Sequence, residues 1–293
     1  MASTVEAPAA GPGTAGPDTA EPDTTGPAPA RRRPLRRAAG AAGAVARRTV
    51  AIAAFLAVWE LAPRAGLVDR TFLPPASEIV PALWDLARGG QLWSDTEASL
   101  ARSLSGFALS ILVGVPLGLV IGWYRPVAEL LDPLLELFRN TAAIALLPVF
   151  ILILGIGETS KVSIVLYACT WPILLNTISA VRTVDPLLVK SARSLGLPAP
   201  RIFQKVVLPA AVPTVFTGIR LAGATAILVV IVAEMVGAKE GLGYLINASQ
   251  QNFAIKDMYA GIVAISLVGL VFNYLLVLVE RRFTRWQQTP AQR

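Results

Sequence analysis

Six polar side chains stand inside runs that are otherwise apolar: Asn140, Asn176, Thr177, Arg220, Glu234 and Asn273. Hydrocarbon tolerates such groups only when they are paired or face water, so in an apolar chain they are candidates for lining a solute path. The chemistry they offer is binding. Amides and hydroxyls donate and accept hydrogen bonds, and a guanidinium presents a permanent positive charge to an anion. Arg220 has a competing role, snorkelling or pairing within a helix bundle; it falls roughly 16 Å along a helix that starts near Pro209, at about 1.5 Å per residue. Reaction chemistry is excluded more firmly. The chain has no histidine and one cysteine, Cys169, which removes His-dependent triads, His-ligated zinc or haem, internal disulfides and thiolate clusters. No nucleophile, base and orienting group stand together, so neither a catalytic residue nor a metal site is expected.

The elements that position these residues must be membrane helices. Hydrophobic residues make up 54% of the chain and charged residues 15%, an apolar excess that has to face lipid rather than water. A helix crosses the hydrocarbon with about 20 apolar residues. Residues 104–124, 162–181 and 258–279 carry no charge over that length. Residues 140–157, extended upstream through amphipathic PVAELLDPLLELF, residues 49–63 with Glu60, and residues 208–235 with Arg220 complete a set of about six. Gly114, Gly118 and Gly122 form a face suited to close helix approach, and Pro116, Pro148 and Pro172 are places where a span could be interrupted. Lys and Arg collect in the first tail, at Arg125, in 190–205 and after Glu280. Both termini are therefore expected in the cytoplasm, in a multi-pass protein of the cell membrane. The net charge of +7 serves that orientation; no basic patch interleaves with aromatics, and no nucleic-acid partner is expected. Residues 1–48 read as a disordered basic cytoplasmic tail, 49–283 as the transmembrane domain and 284–293 as a short cytoplasmic tail. Between the first two spans, two surface helices are expected with caps at Ser77 and Ser94, and Trp84 and Trp93 suit either interfacial anchors or ordinary packing. Gly241, Leu242, Gly243 and Tyr244 suit either an outer gating loop or an ordinary glycine turn.

The segment between the fourth and fifth spans writes a short helix with both ends defined. Asp185 before Pro186 makes an N-cap with proline at the first helical position, and Gly196 after LVKSARSL makes a left-handed stop. Leu187, Leu188, Ser191, Ala192 and Leu195 fall along one side, with Lys190 and Arg193 elsewhere. Such a face either seats in a groove on a partner or packs on its own bundle; periodicity leaves both open.

SARSLG, nine further residues and VVLP resemble the Glu-Ala-Ala loop of the permease subunits of bacterial ABC importers. Around it, LDPLLELFRN, LPVFILILGIGETSK, WPILLNT, VDPLLVKSARSLG and VVLPAAVPTVFTGIRLA are similar to the branch importing sulfonates, taurine and nitrate. The likeness runs from about Phe72 to Trp286. It implies an all-α integral membrane fold of the type I, MetI-like kind, with about six transmembrane helices and a cytoplasmic coupling helix. Asp185, Leu187, Leu188, Lys190, Ser191, Ala192, Leu195 and Gly196 would meet an ABC ATPase subunit, and Asn140, Asn176, Thr177, Arg220 and Glu234 are the candidates for the path of a small anion. A second permease copy, forming a homodimer, and an extracytoplasmic substrate-binding protein are the further implied partners. ATP and magnesium would sit on the ATPase, with no cofactor on this chain. Lys190 and Ser191 depart from the family pattern of Glu and Ala, which puts an ion pair at that point in doubt. The chain contains no G-x-x-x-x-G-K-[S/T] phosphate loop, so energy must come from a partner. The alternative is a gradient-driven secondary carrier without an ATPase partner, which predicts inverted repeats; none is visible in the sequence.

Overall fold

The computed structural model describes residues 33–283, with side chains from residue 49 onward. The expected tails at 1–32 and 284–293 lie outside the described residues. Two units separate in the chain, one up to Ala54 and one from Phe55. Every described element is helical: α1 (Arg33–Arg64), α2 (Ala76–Arg88), α3 (Gln91–Trp123), α4 (Arg125–Arg139), a 3-10 turn (Ala143–Leu146), α5 (Leu147–Leu154), α6 (Glu158–Arg182), α7 (Pro186–Ser194), α8 (Ala199–Ile202), a π-turn (Phe203–Val207), α9 (Leu208–Met235), α10 (Leu242–Gln251) and α11 (Ile255–Phe283). The backbone of 33–48, expected to belong to the tail, is continuous with the helix through 49–64.

Among the described residues, α3, α6, the stretch Ala199–Met235 and α11 are long and apolar enough to cross a membrane. A fifth span arises if α4 and the segment Ala143–Leu154, bent 83° from each other, count as one. The sequence suggested a single extended helix here. The structure breaks it at 140–142, while Pro116 and Pro172 lie inside unbroken helices. Pro148 sits in the first turn of α5, where its missing N–H costs nothing.

The core is the interlock of α3, α6 and α9. A Cβ at Gly118 would lie 2.6 Å from the Thr177 Cβ, one at Gly122 2.8 Å from that of Val181, and one at Gly106 2.7 Å from that of Val165. Those glycines are what lets the α3 backbone touch α6. Gly218 does the same for α9, where a Cβ would stand 2.6 Å from the Asn176 Cβ. Phe107, Ile164, Cys169, Ile173, Ala226 and Val230 fill the space between the three helices.

Two capping expectations fail for identifiable reasons. Ser77 does not cap α2, whose N-cap is Pro75; its hydroxyl and amide are both taken by Glu60, at 2.8 and 3.0 Å. That bond also explains the carboxylate at the end of an apolar run. Ser94 lies inside α3, which begins at Gln91, so the expected second surface helix is the first turns of a span. Trp84 and Trp93 are exposed, with the Arg88 guanidinium over the Trp84 ring.

Candidate functional site

α7 stands at one end of the bundle with the termini that the sequence wrote. The Asp185 carboxylate accepts from the Leu187 N–H at 2.8 Å, Pro186 occupies the first turn, and Gly196 adopts φ +73°. The two readings of its face both hold, because the face splits. Ala192 is buried and, with partly buried Val189, packs among Ala180, Val181, Ile202, Val207, Ala211 and Val215 of α6, α8, the π-turn and α9. Leu187, Leu188 and Leu195 point away from that cluster and are 67%, 51% and 79% exposed. Lys190 and Ser191 are exposed beside them. The helix is therefore anchored by a small residue and presents three leucines and a lysine outward.

The path candidates do not converge. Asn140 is exposed at the break after α4. Asn176 donates to the Pro172 carbonyl at 2.8 Å, and Thr177 to that of Ile173 at 2.7 Å, each satisfying itself within α6. Arg220 binds Glu280 of α11 at 3.1 Å, the pairing role that competed with anion binding. Asn273 is exposed on α11.

Glu234 belongs to a buried polar hub at the end of the bundle opposite α7. Its carboxylate, fully buried, accepts from Arg102 Nη1 at 2.8 Å, from the Ser99 hydroxyl at 2.8 Å and from the Gly243 N–H at 2.9 Å. Arg102, 3% exposed, also grips Glu158 through Nε and through Nη2, the latter at 2.8 Å. Its Nη1 donates to the Glu240 carbonyl at 2.7 Å. Ser99 accepts from the Leu242 N–H at 2.9 Å, and Asp95 Oδ1 from the Gly241 N–H at 2.8 Å, its Oδ2 buried without a partner. Lys161 lies 3.6 Å from Glu158. A Cβ at Gly241 would fall 2.5 Å from the Glu234 carboxyl carbon. The glycines thus let the first turn of α10 close over a carboxylate, the usual preference of a helix N-terminus for negative charge. Sequence reading singled out Glu234 and missed Arg102, Ser99 and Asp95. The available signal was their spacing, since 95, 99, 102 and 106 recur on one helical face. Among the described residues no group of three or more His, Cys, Asp or Glu side chains could hold a metal ion.

A bundle of apolar helices interlocked by glycines, with a capped helix carried at one end, defines a multi-pass membrane protein. Residues 114–285 match the family described as the binding-protein-dependent transport system inner membrane component, and the chain belongs to that family: it is a permease subunit of an ABC importer. It is 35% identical over 231 residues to the putative aliphatic sulfonates transport permease protein of Escherichia coli, covering 79% of this chain and 88% of the relative. It is 30% identical over 240 residues to the taurine transport system permease protein of the same organism, covering 80% and 87%. The bicarbonate transport system permease protein of Synechococcus elongatus is 33% identical over 205 residues, covering 68% and 73%. In fold, the chain is similar to the methionine ABC transporter solved in inward-facing conformations, with a TM-score of 0.59 at 20% identity, covering 70% of this chain and 98% of that one. The resemblance read from the sequence is borne out.

Proposed function

We propose that this permease carries a small oxyanion of the sulfonate or bicarbonate kind, as a pair of identical copies driven by ATPase subunits that dock on α7. The observation carrying the proposal is the split face of α7: Ala192 held in the bundle, Leu187, Leu188 and Leu195 held out of it. Three exposed leucines on one short helix are a patch that a hydrophobic cleft would cover. ATP and magnesium then belong to the ATPase, and an external binding protein delivers the solute. The end bearing α7 carries Arg125, Arg182, Lys190, Arg193, Arg201, Lys205, Arg281 and Arg282, which supports placing it, and both termini, in the cytoplasm. Leu152, Ile153 and Ile156, 85%, 73% and 73% exposed on and just after α5, supply apolar surface for the second copy. The relatives named for sulfonates, taurine and bicarbonate share only the negatively charged oxygen-bearing group, and that group is the substrate class proposed.

The test is retention of the cognate ATPase in detergent by wild type and by Gly196→Arg. Gly196 has a positive φ and open space around it, so the variant strains the end of α7 without clashing inside the bundle. Wild type should retain the ATPase, and the variant should lose it while staying monodisperse. Full retention by the variant, or uptake by wild-type vesicles with an ion gradient and no ATPase, refutes the reading.

A further inference from the structure

α4 is a helix with three faces. Ala128, Leu131 and Leu135 pack on α3 and α6, and Phe138 is stacked on Trp171 of α6. Leu130, Leu134 and Leu137 form a second, exposed stripe. Arg125, Glu129, Asp132, Glu136 and Arg139 form a third, also exposed; at about 100° per residue they fall within an arc of roughly 80°, well away from the leucines. The lower part of this charged stripe opens on a cavity of about 780 Å³, which Arg125, Glu129 and Asp132 line together with Arg182 and Arg193.

The upper part climbs to the middle of the bundle. The Phe138 carbonyl accepts from the Tyr167 hydroxyl at 3.3 Å, and Tyr167 and Trp171 bracket Thr170, the midpoint of the 25-residue α6. At about 1.5 Å per residue α6 is about 38 Å long against roughly 30 Å of hydrocarbon, so its midpoint lies deep in the membrane. There the helix ends in Arg139 and Asn140, and the chain turns by 83° into the segment leading to α5. Non-helical backbone at that depth must be covered by protein or face water, and ionisable side chains obey the same rule. Arg139 has no ion-pair partner among the described residues.

We propose that the charged stripe of α4 lines the aqueous route through the permease, and that Arg139, at its upper end, holds the transported oxyanion at mid-depth. The class of solute rests on the function proposed above; the aqueous route does not. Glu129, Asp132 and Glu136 stand between Arg139 and the α7 end, with Asp132 paired to Arg182 at 3.8 Å.

Two measurements on the full complex in vesicles separate these parts. In a Cys169→Ala background, single cysteines at 132, 136 and 139 should react with a membrane-impermeant cationic thiol reagent supplied on the α7 side, and cysteines at 130, 134 and 137 should not. Equal labelling of the two sets, or preferential labelling of the leucine set, overturns the aqueous stripe. With taurine, bicarbonate and a short alkanesulfonate as probes, Arg139→Gln should weaken uptake of whichever the wild type carries by about ten-fold or more, the scale of one charge-assisted hydrogen bond, and Arg139→Lys should restore much of it. Unchanged uptake in Arg139→Gln overturns the anion role. Wild type carrying none of the probes refutes the oxyanion function and with it the role of Arg139, while the labelling pattern still decides the route.

Discussion

Removing Arg102 tests whether the hub is a structural clasp, because the cost falls on one residue. In Arg102→Ala, Glu158 keeps Lys161 at 3.6 Å and, being 62% exposed, can turn to water. Glu234 cannot: its side chain is fully buried, and only the Ser99 hydroxyl and the Gly243 N–H remain to hold its charge. A buried ion left without its partner costs about 3–5 kcal/mol. At about 2–4 °C per kcal/mol for a chain of this size, the midpoint of thermal unfolding in detergent should fall by roughly 6–20 °C. Glu234→Gln keeps acceptor and shape and removes the charge, so Arg102→Ala with Glu234→Gln should be more stable than Arg102→Ala alone. Thermal midpoints of wild type, both single variants and the double variant make the cycle. If Arg102→Ala lies within about 0.5 kcal/mol of wild type, the change expected of an unremarkable surface position, or if the two substitutions simply add, the clasp argument is wrong.

Gly118→Leu places a side chain where even a Cβ would stand 2.6 Å from that of Thr177; overpacking of this kind costs typically about 1–3 kcal/mol, and the loss should appear as lower yield of monodisperse protein, with no change in Gly269→Leu, where a Cβ meets nothing closer than 4.0 Å. Near the end that carries the hub, the hydrogen bond from Lys256, 2.8 Å away, holds the Glu78 carboxyl below the usual carboxylate range. Its contribution to docking α2 on α11 is complete above the unfolded carboxylate value and is lost as pH falls through the lower folded value. The protection of α2 amides relative to their intrinsic exchange rates should thus be unchanged between neutral pH and about pH 5 and fall below about pH 4; Glu78→Gln should abolish that fall.

The membrane class, the main spans and the outline of α7 were legible because each is written locally. Apolar length declares a span, and Asp185, Pro186 and Gly196 each act on backbone within a turn of themselves. What escaped was whatever depends on a distant partner. Ser77 has the composition of a cap and spends its hydroxyl on Glu60, 17 positions away. Arg102 looked like one more charge in a mixed segment, because nothing nearby announces carboxylates 56 and 132 positions further on. The break at 140–142 escaped for a different reason: the attention goes to prolines, yet the turn comes where a charged helix stripe gives way to a wholly apolar segment. Whether an exposed apolar face meets lipid or protein is equally invisible to periodicity, which is why the face of α7 was read as one side when it is two.

These features combine into a lever. Ala192 ties α7 to α6 and α9, glycine contacts at Gly106, Gly118, Gly122 and Gly218 leave α3, α6 and α9 no slack, and Arg102 joins α3, α6, α9 and the turn before α10 at the far end. Close-packed interiors transmit displacement rather than absorb it. A push on α7 would therefore appear at the hub as a rotation of the whole bundle, the rigid-body kind of transition. α4, packed on α3 and α6 by one face and bent 83° from the segment that follows, would carry its charged stripe with the bundle. If two copies pair as proposed above, movement of the two bundles against each other would open the stripe to one side of the membrane or close it.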